Sequence, residues 1–123
     1  MATLASPFAA DEDPADANIV KVVTATVAGR RRAMYFSRAM IPFARDGRRV
    51  SPPLKHPGLY AYRRDFLLHF VTLPATPCEQ AEQLEQLRAL EHGHPIAIAL
   101  VNVRHHGIDT PEQYEAFVQR QRR

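Results

Sequence analysis

The chain has 123 residues, a formal net charge of +3, 46% hydrophobic residues and 24% charged residues. That length supports one domain with one core, folding being able to bury somewhat over ~60% of the unfolded surface, and the composition excludes global disorder. A single cysteine, Cys78, excludes an internal disulfide and a cysteine-built metal framework.

The longest apolar run, 96–101, is too short to span a bilayer. The first residues lack a basic segment, and Ser6-Pro7 and Asp11 interrupt any leader-like run, so the expectation is a cytoplasmic protein with no membrane partner. The basic side is almost all arginine, clustered at 30–32, 48–49, 63–64 and 120–123. Such clusters raise a basic nucleic-acid binder as one reading. They are scattered over turns and a terminus, with acidic residues between them and no aromatic RNA-binding signature, so the reading preferred is a solvated surface and no nucleic-acid partner.

Residues 1–18 combine alanine, proline and acidic residues without a sustained period, and are expected to form a loose lead-in. The rest, 19–123, is expected to be one folded part. Ile19 to Thr26 and Ala33 to Ser37 read as the two strands of a β-hairpin around a turn at 27–30. Residues 43–53 read as a long loop, by Asp46-Gly47 and Pro52-Pro53. Leu59 to Tyr62 reads as a short strand, and 64–72 as a helix with Phe66, Leu67, Phe70 and Val71 at helical spacing. Thr76-Pro77-Cys78-Glu79 opens the best-marked helix, with a threonine cap, proline at the first position and glutamate at the third, and that helix is expected to run to about Glu91 and stop at Gly93. The run 95–103 is nearly all apolar and predicts a strand covered on both faces. His92, His94, His105 and His106 bracket it, but with no cysteine near they make a poor zinc set. Thr110-Pro111 opens a last helix with Tyr114, Phe117 and Val118 on one face.

The densest set of possible ligand-facing groups lies in 35–66, YFSRAMIPFARDGRRVSPPLKHPGLYAYRRDF, with Tyr35, Ser37, Arg38, His56, Tyr60 and Arg63. Arg38 stands directly after an aromatic strand and before Pro42, which cannot donate to a ladder, so a strand end delivers a guanidinium suited to a carboxylate or phosphate. The alternative for Arg38 is an exposed strand-end side chain.

YFSRAMIP and KHPGLYAYRRDF closely resemble the YFSR-x-x-IP and KH-x-GIYGYR segments of the 3-deoxy-manno-octulosonate cytidylyltransferase (CMP-Kdo synthetase) family. MATL at 1–4, NIVKVV at 18–23, LEQLR at 84–88 and GIDTPE at 107–112 follow in the family's order. Met40, the pair Pro57 and Leu59, and Ala25 depart from its pattern. The match covers only the second half of that family's chain, and MATL resembles an internal segment, so a fragment or truncated product is expected.

The resemblance implies an α/β fold, a partial nucleotide-diphospho-sugar transferase-like sheet with a β-hairpin and two to three helices. It also implies the reaction in which the anomeric hydroxyl of the acid sugar Kdo attacks the α-phosphate of CTP, giving CMP-Kdo and pyrophosphate for lipopolysaccharide synthesis. In that reading Arg38, His56, Tyr60, Glu85 and Gln86 match positions lining the sugar site, with a guanidinium for the carboxylate and polar groups for the hydroxyls. Asp109 matches an aspartate that helps hold Mg2+, and Arg38 and Asp109 are the groups nearest the chemistry. Read from the residues alone, Asp109 caps the last helix, and Glu85 and Gln86 are surface residues flanking an apolar stripe.

The five glycines, at 29, 47, 58, 93 and 107, are not spaced as a phosphate loop, and one carboxylate is a poor magnesium cage. The chain alone is therefore expected not to transfer nucleotide. The partners implied are CTP and Kdo in the complete enzyme, with a homodimer or a missing N-terminal half. The second reading is a noncatalytic homodimer or binding module derived from the same fold.

Overall fold

A computed structural model describes residues 1–48, 50–102 and 111–121, the side chains of 113, 116 and 120 excepted. The elements in chain order are β1 (Ala2–Pro7), β2 (Lys21–Val27), β3 (Arg30–Ser37), β4 (Leu54–Lys55), β5 (Tyr60–Ala61), α1 (Arg64–Phe70), α2 (Pro77–Glu82), α3 (Gln86–Glu91), β6 (Ala97–Leu100) and α4 (Pro111–Gln121).

β1 runs parallel to β6, with Ala2 opposite Ala97 and Ala5 opposite Leu100. Its other edge pairs antiparallel with β5 at Ala2 and Thr3 and with β4 at Ser6 and Pro7. β4 also pairs with β2, β2 with β3, and β3 touches β6 at Arg32 and Ala97. The strand order therefore closes on itself as β1, β6, β3, β2, β4, with β5 lying beside β4 against β1. The expected loose lead-in is thus corrected for 2–7. Short alanine and threonine side chains give no local period there, and the segment becomes a strand because β6, some ninety residues away in sequence, supplies its ladder. Residues 8–18 follow as turns and irregular backbone, pinned where the Glu12 carboxylate pairs with the buried Lys55 ammonium.

The hairpin forms as expected. Ala28 and Gly29 both have positive φ, 50° and 73°, as a tight two-residue turn between twisted strands requires. A register shift between Val23 and Thr24 leaves Met34 as an extra, exposed residue on β3. At the tip, Arg31 donates to the Thr24 hydroxyl at 3.0 Å.

The core gathers Ala5, Val22, Phe36, Phe70, Leu84, Leu87, Ala89, Ile96 and Ile98. Of β6 only Ile98 is buried, while Ala97, Ala99 and Leu100 are exposed, so among the described residues the strand is covered on one face and not on two. Tyr114 and Phe117 of α4 are likewise exposed.

The helix expected over 76–91 is two helices, which gives four helical segments among the described residues. α2 starts as its sequence requires, with Pro77 at its first position and the Glu79 carboxylate accepting the Thr76 N–H at 3.2 Å. It ends at Gln83, whose φ of 54° is left-handed. The cause is tertiary. The carbonyls of Glu82 and Gln83, which a continuous helix would offer to the amides four residues on, accept instead from the Arg38 guanidinium, at 2.8 and 3.4 Å. A left-handed backbone costs a side chain about 1–2 kcal/mol, more than the entropy a glycine loses there. Gln83→Gly is therefore expected to raise stability by about 0.5 kcal/mol, read as a higher urea midpoint at unchanged slope.

Candidate functional site

Arg38 leaves β3 into a knot of hydrogen bonds with α2. The Glu82 carboxylate accepts the Ser37 hydroxyl at 2.6 Å and the Arg38 N–H at 2.9 Å. The Arg38 guanidinium donates to the carbonyls of Glu82 and Gln83 and, at 3.2 Å, to that of Ala17. The Arg38 carbonyl in turn accepts from the Lys21 ammonium, which also donates to the carbonyls of Ile19 at 2.6 Å and Asp16 at 2.9 Å. Lys21 is completely buried, and burial holds its pKa below the ordinary lysine value despite the attraction of Asp16. Arg38 is thus not the exposed strand-end side chain of the bland alternative. Three of its five N–H groups are committed, which leaves one N–H on each terminal nitrogen.

His56 follows β4 and Tyr60 opens β5. Phe36, two residues before Arg38, meets the His56 ring edge-on with centroids 4.8 Å apart, and His56 lies 5.3 Å from Tyr60. The aromatic line continues through Tyr62 to Phe66 and Phe70 of α1, each ring within 6.5 Å of the next. Burial pushes the His56 pKa down to about 4, so the ring is neutral at pH 7. Burial, with the nearby Glu85 charge second, raises the Tyr60 pKa, and the hydroxyl keeps its proton as a donor.

Glu85 and Gln86 lie at the start of α3, just past the break that Arg38 imposes. Glu85 is exposed, and its charge lies near enough to the Tyr60 hydroxyl to help raise that pKa. Gln86 is not the surface residue its spacing implies. It is 1% exposed, and its Nε2 has no hydrogen-bond partner among the described residues. A buried amide donor left so costs about 1–3 kcal/mol.

His56, Tyr60 and Glu85 are therefore brought together from three elements. Arg38 is not in contact with them; its guanidinium is held at the end of β3 by the carbonyls of 17, 82 and 83. Asp109 lies outside the described residues, as do His105 and His106. His92 and His94 are both half-buried, and His94 packs on Phe66 and His69. Among the described residues no group of three or more histidine, cysteine or acidic side chains could hold a metal ion, and no helix is long and apolar enough to cross a membrane.

Reading the sequence missed Thr3, Lys21 and Glu82 as parts of this region. A lysine inside the β-branched run 19–24 is the one signal that could have found Lys21. Thr3 and Glu82 carry none.

A family model described as cytidylyltransferase matches residues 1–98. The chain is 52% identical over 119 residues to 3-deoxy-manno-octulosonate cytidylyltransferase of Syntrophobacter fumaroxidans, covering 96% of this chain and 46% of that protein. It is 50% identical over 107 residues to the protein of the same name from Solibacter usitatus, covering 85% of this chain and 41% of that protein. A solved structure of CMP:2-keto-3-deoxy-manno-octonic acid synthetase complexed with CTP superposes with a TM-score of 0.85 at 41% identity, over 99% of this chain and 49% of that one. The chain spans about half the length of the relatives it matches, and its mixed sheet with packed helices is the corresponding part of their α/β fold. By the family model and by these relatives, the chain belongs to the cytidylyltransferase family.

Proposed function

We propose that these residues form the acid-sugar-binding part of a CMP-Kdo synthetase, the enzyme that joins Kdo to CMP from CTP with release of pyrophosphate. The observation that carries the reading is the convergence of His56, Tyr60 and Glu85 beside the orphaned Gln86 amide. An acceptor ring, a protonated phenol, a carboxylate and a buried amide donor together match the mixed donors and acceptors of a polyol. Arg38, with one N–H left on each terminal nitrogen, takes the sugar carboxylate. Its backbone clamp fixes the strand end from which it acts.

The described residues do not fit a magnesium cage, so no step is assigned to the ion through them. Asp109 is proposed as one ligand to Mg2+, the others coming from residues beyond the match. On this reading the protein works in the cytoplasm, and CTP contacts are made mainly by the part of the relatives that this chain does not match. A second reading, a noncatalytic homodimer or binding module, is favoured by one observation. Leu59, Leu67 and Leu68 of α1, and Val71 just past its end are 41–66% exposed, an apolar surface suited to a second copy or to the family's other half.

The test is CMP-Kdo formation by the purified chain with CTP, Kdo and magnesium, alone and after addition of the separately expressed N-terminal half of a relative. The expected result is product only in the mixture. Tyr60→Phe, which removes one donor, is expected to weaken Kdo binding about 10-fold. Product from the chain alone contradicts the division of labour, and silence in both with a monodisperse dimer favours the second reading.

A further inference from the structure

Thr3 lies in β1, 3% exposed, between Ile98 of β6 on one side and Tyr60 of β5 on the other. Its hydroxyl makes two contacts, 2.6 Å to the Leu59 carbonyl and 2.9 Å to His56 Nε2. A hydroxyl has one proton, and a carbonyl oxygen can only accept. The proton therefore goes to Leu59, and the contact with His56 must be made by an Nε2–H donating to Thr3 Oγ1. A neutral imidazole carries a single N–H.

We propose that Thr3 is a positioning residue that fixes His56 as the Nε2–H tautomer and turns the lone pair of Nδ1 toward the ligand as an acceptor for a hydroxyl. The backbone supports this from both ends, because the His56 N–H donates to the Val20 carbonyl at 2.8 Å and Leu59 is held by Thr3 itself. Phe36 and Tyr60 flank the ring at 4.8 and 5.3 Å and restrict its rotation. Burial keeps the imidazole neutral well below pH 7, so Nδ1 is not consumed by a proton. The site then presents acceptors at His56 and Glu85 and a donor at Tyr60, a mixture that suits vicinal hydroxyls better than a plain anion. The identification of the ligand as a polyol acid rests on the function proposed above, and the tautomer does not.

The experiment is a long-range 1H–15N imidazole spectrum of the full chain as wild type, Thr3→Val and Thr3→Ser, paired with calorimetric titration by Kdo. Wild type and Thr3→Ser are expected to show His56 with its proton on Nε2. Thr3→Val is expected to shift population toward the Nδ1–H form and to bind Kdo about 10-fold more weakly, with Thr3→Ser regaining most of the affinity. A wild-type His56 protonated on Nδ1 overturns the proposal, as does a Thr3→Val chain with unchanged tautomer and affinity. A wild type that shows the Nε2–H form and does not bind Kdo sinks the sugar reading and leaves the Thr3 assignment standing.

Discussion

Replacing Lys21 by Met lowers stability by about 2–3 kcal/mol at pH 7, the largest loss expected from any single change in the strand-end knot. The ammonium is completely buried and donates to the carbonyls of Asp16, Ile19 and Arg38, joining the segment before β2 to the segment after β3. Methionine fills most of the volume and gains by removing a buried charge, whose desolvation is what lowers the lysine pKa. Against that, three carbonyls lose a charge-assisted donor, each worth more than a neutral hydrogen bond. Three lost bonds outweigh one relieved desolvation. Denaturant unfolding of both chains checks it, and an unchanged midpoint would show that water takes over all three carbonyls. Because Lys21 is held below its unfolded value, its own contribution rises with pH through the folded pKa toward 10.5.

The second large effect is a loss of stability on mild acidification, centred on His56. The folded chain holds this imidazole at about 4 against 6.5 ordinarily. As pH falls through 6.5 the unfolded chain takes up a proton that the folded chain refuses, so stability is full above 6.5 and declines down to about 4. The drop across that window is at most about 3–4 kcal/mol, from 1.36 kcal/mol per pKa unit over the roughly 2.5 units between about 4 and 6.5. Glu79, held low chiefly by its Arg88 partner, loses its contribution only below the ordinary carboxylate value of 4.5, which separates the two groups. His56→Gln, which keeps a donor for Thr3, is expected to flatten the curve between pH 6.5 and 4.5. Urea midpoints measured across this range decide it, and a wild-type curve as flat as the variant's would show that His56 is not held low.

Features encoded by neighbours in the chain were legible in the sequence. The hairpin followed from its β-branched runs and Gly29, and the start of α2 from Thr76, Pro77 and Glu79. Features set by distant contacts were not. Nothing in Ala2–Pro7 marks a strand flanked on both edges, because its ladder is supplied by β6, β4 and β5. Gln83 is a poor residue for a left-handed helix end, and the break there is written in Arg38, 45 residues earlier. The same division holds for the site. His56 and Tyr60 stood out among the polar and aromatic groups of 35–66 and, with Glu85 and Gln86, match family segments, whereas the threonine proposed to orient His56 lies in MATL, whose match to the family does not single out Thr3. The burial of Gln86, which turns a helix-surface residue into an orphaned donor, follows from the α2–α3 break.

A sugar site in this half of the fold is tested most directly by NMR titration of the 15N-labelled chain with Kdo, with CTP added to a parallel sample. It requires saturable shifts from Kdo at Arg38, His56, Tyr60, Glu85 and Gln86, including the Gln86 side-chain amide, and weaker effects from CTP alone. Kdo shifts that are absent, or confined to the arginines of the hairpin tip at 30–32, would contradict a sugar site in this half of the family fold.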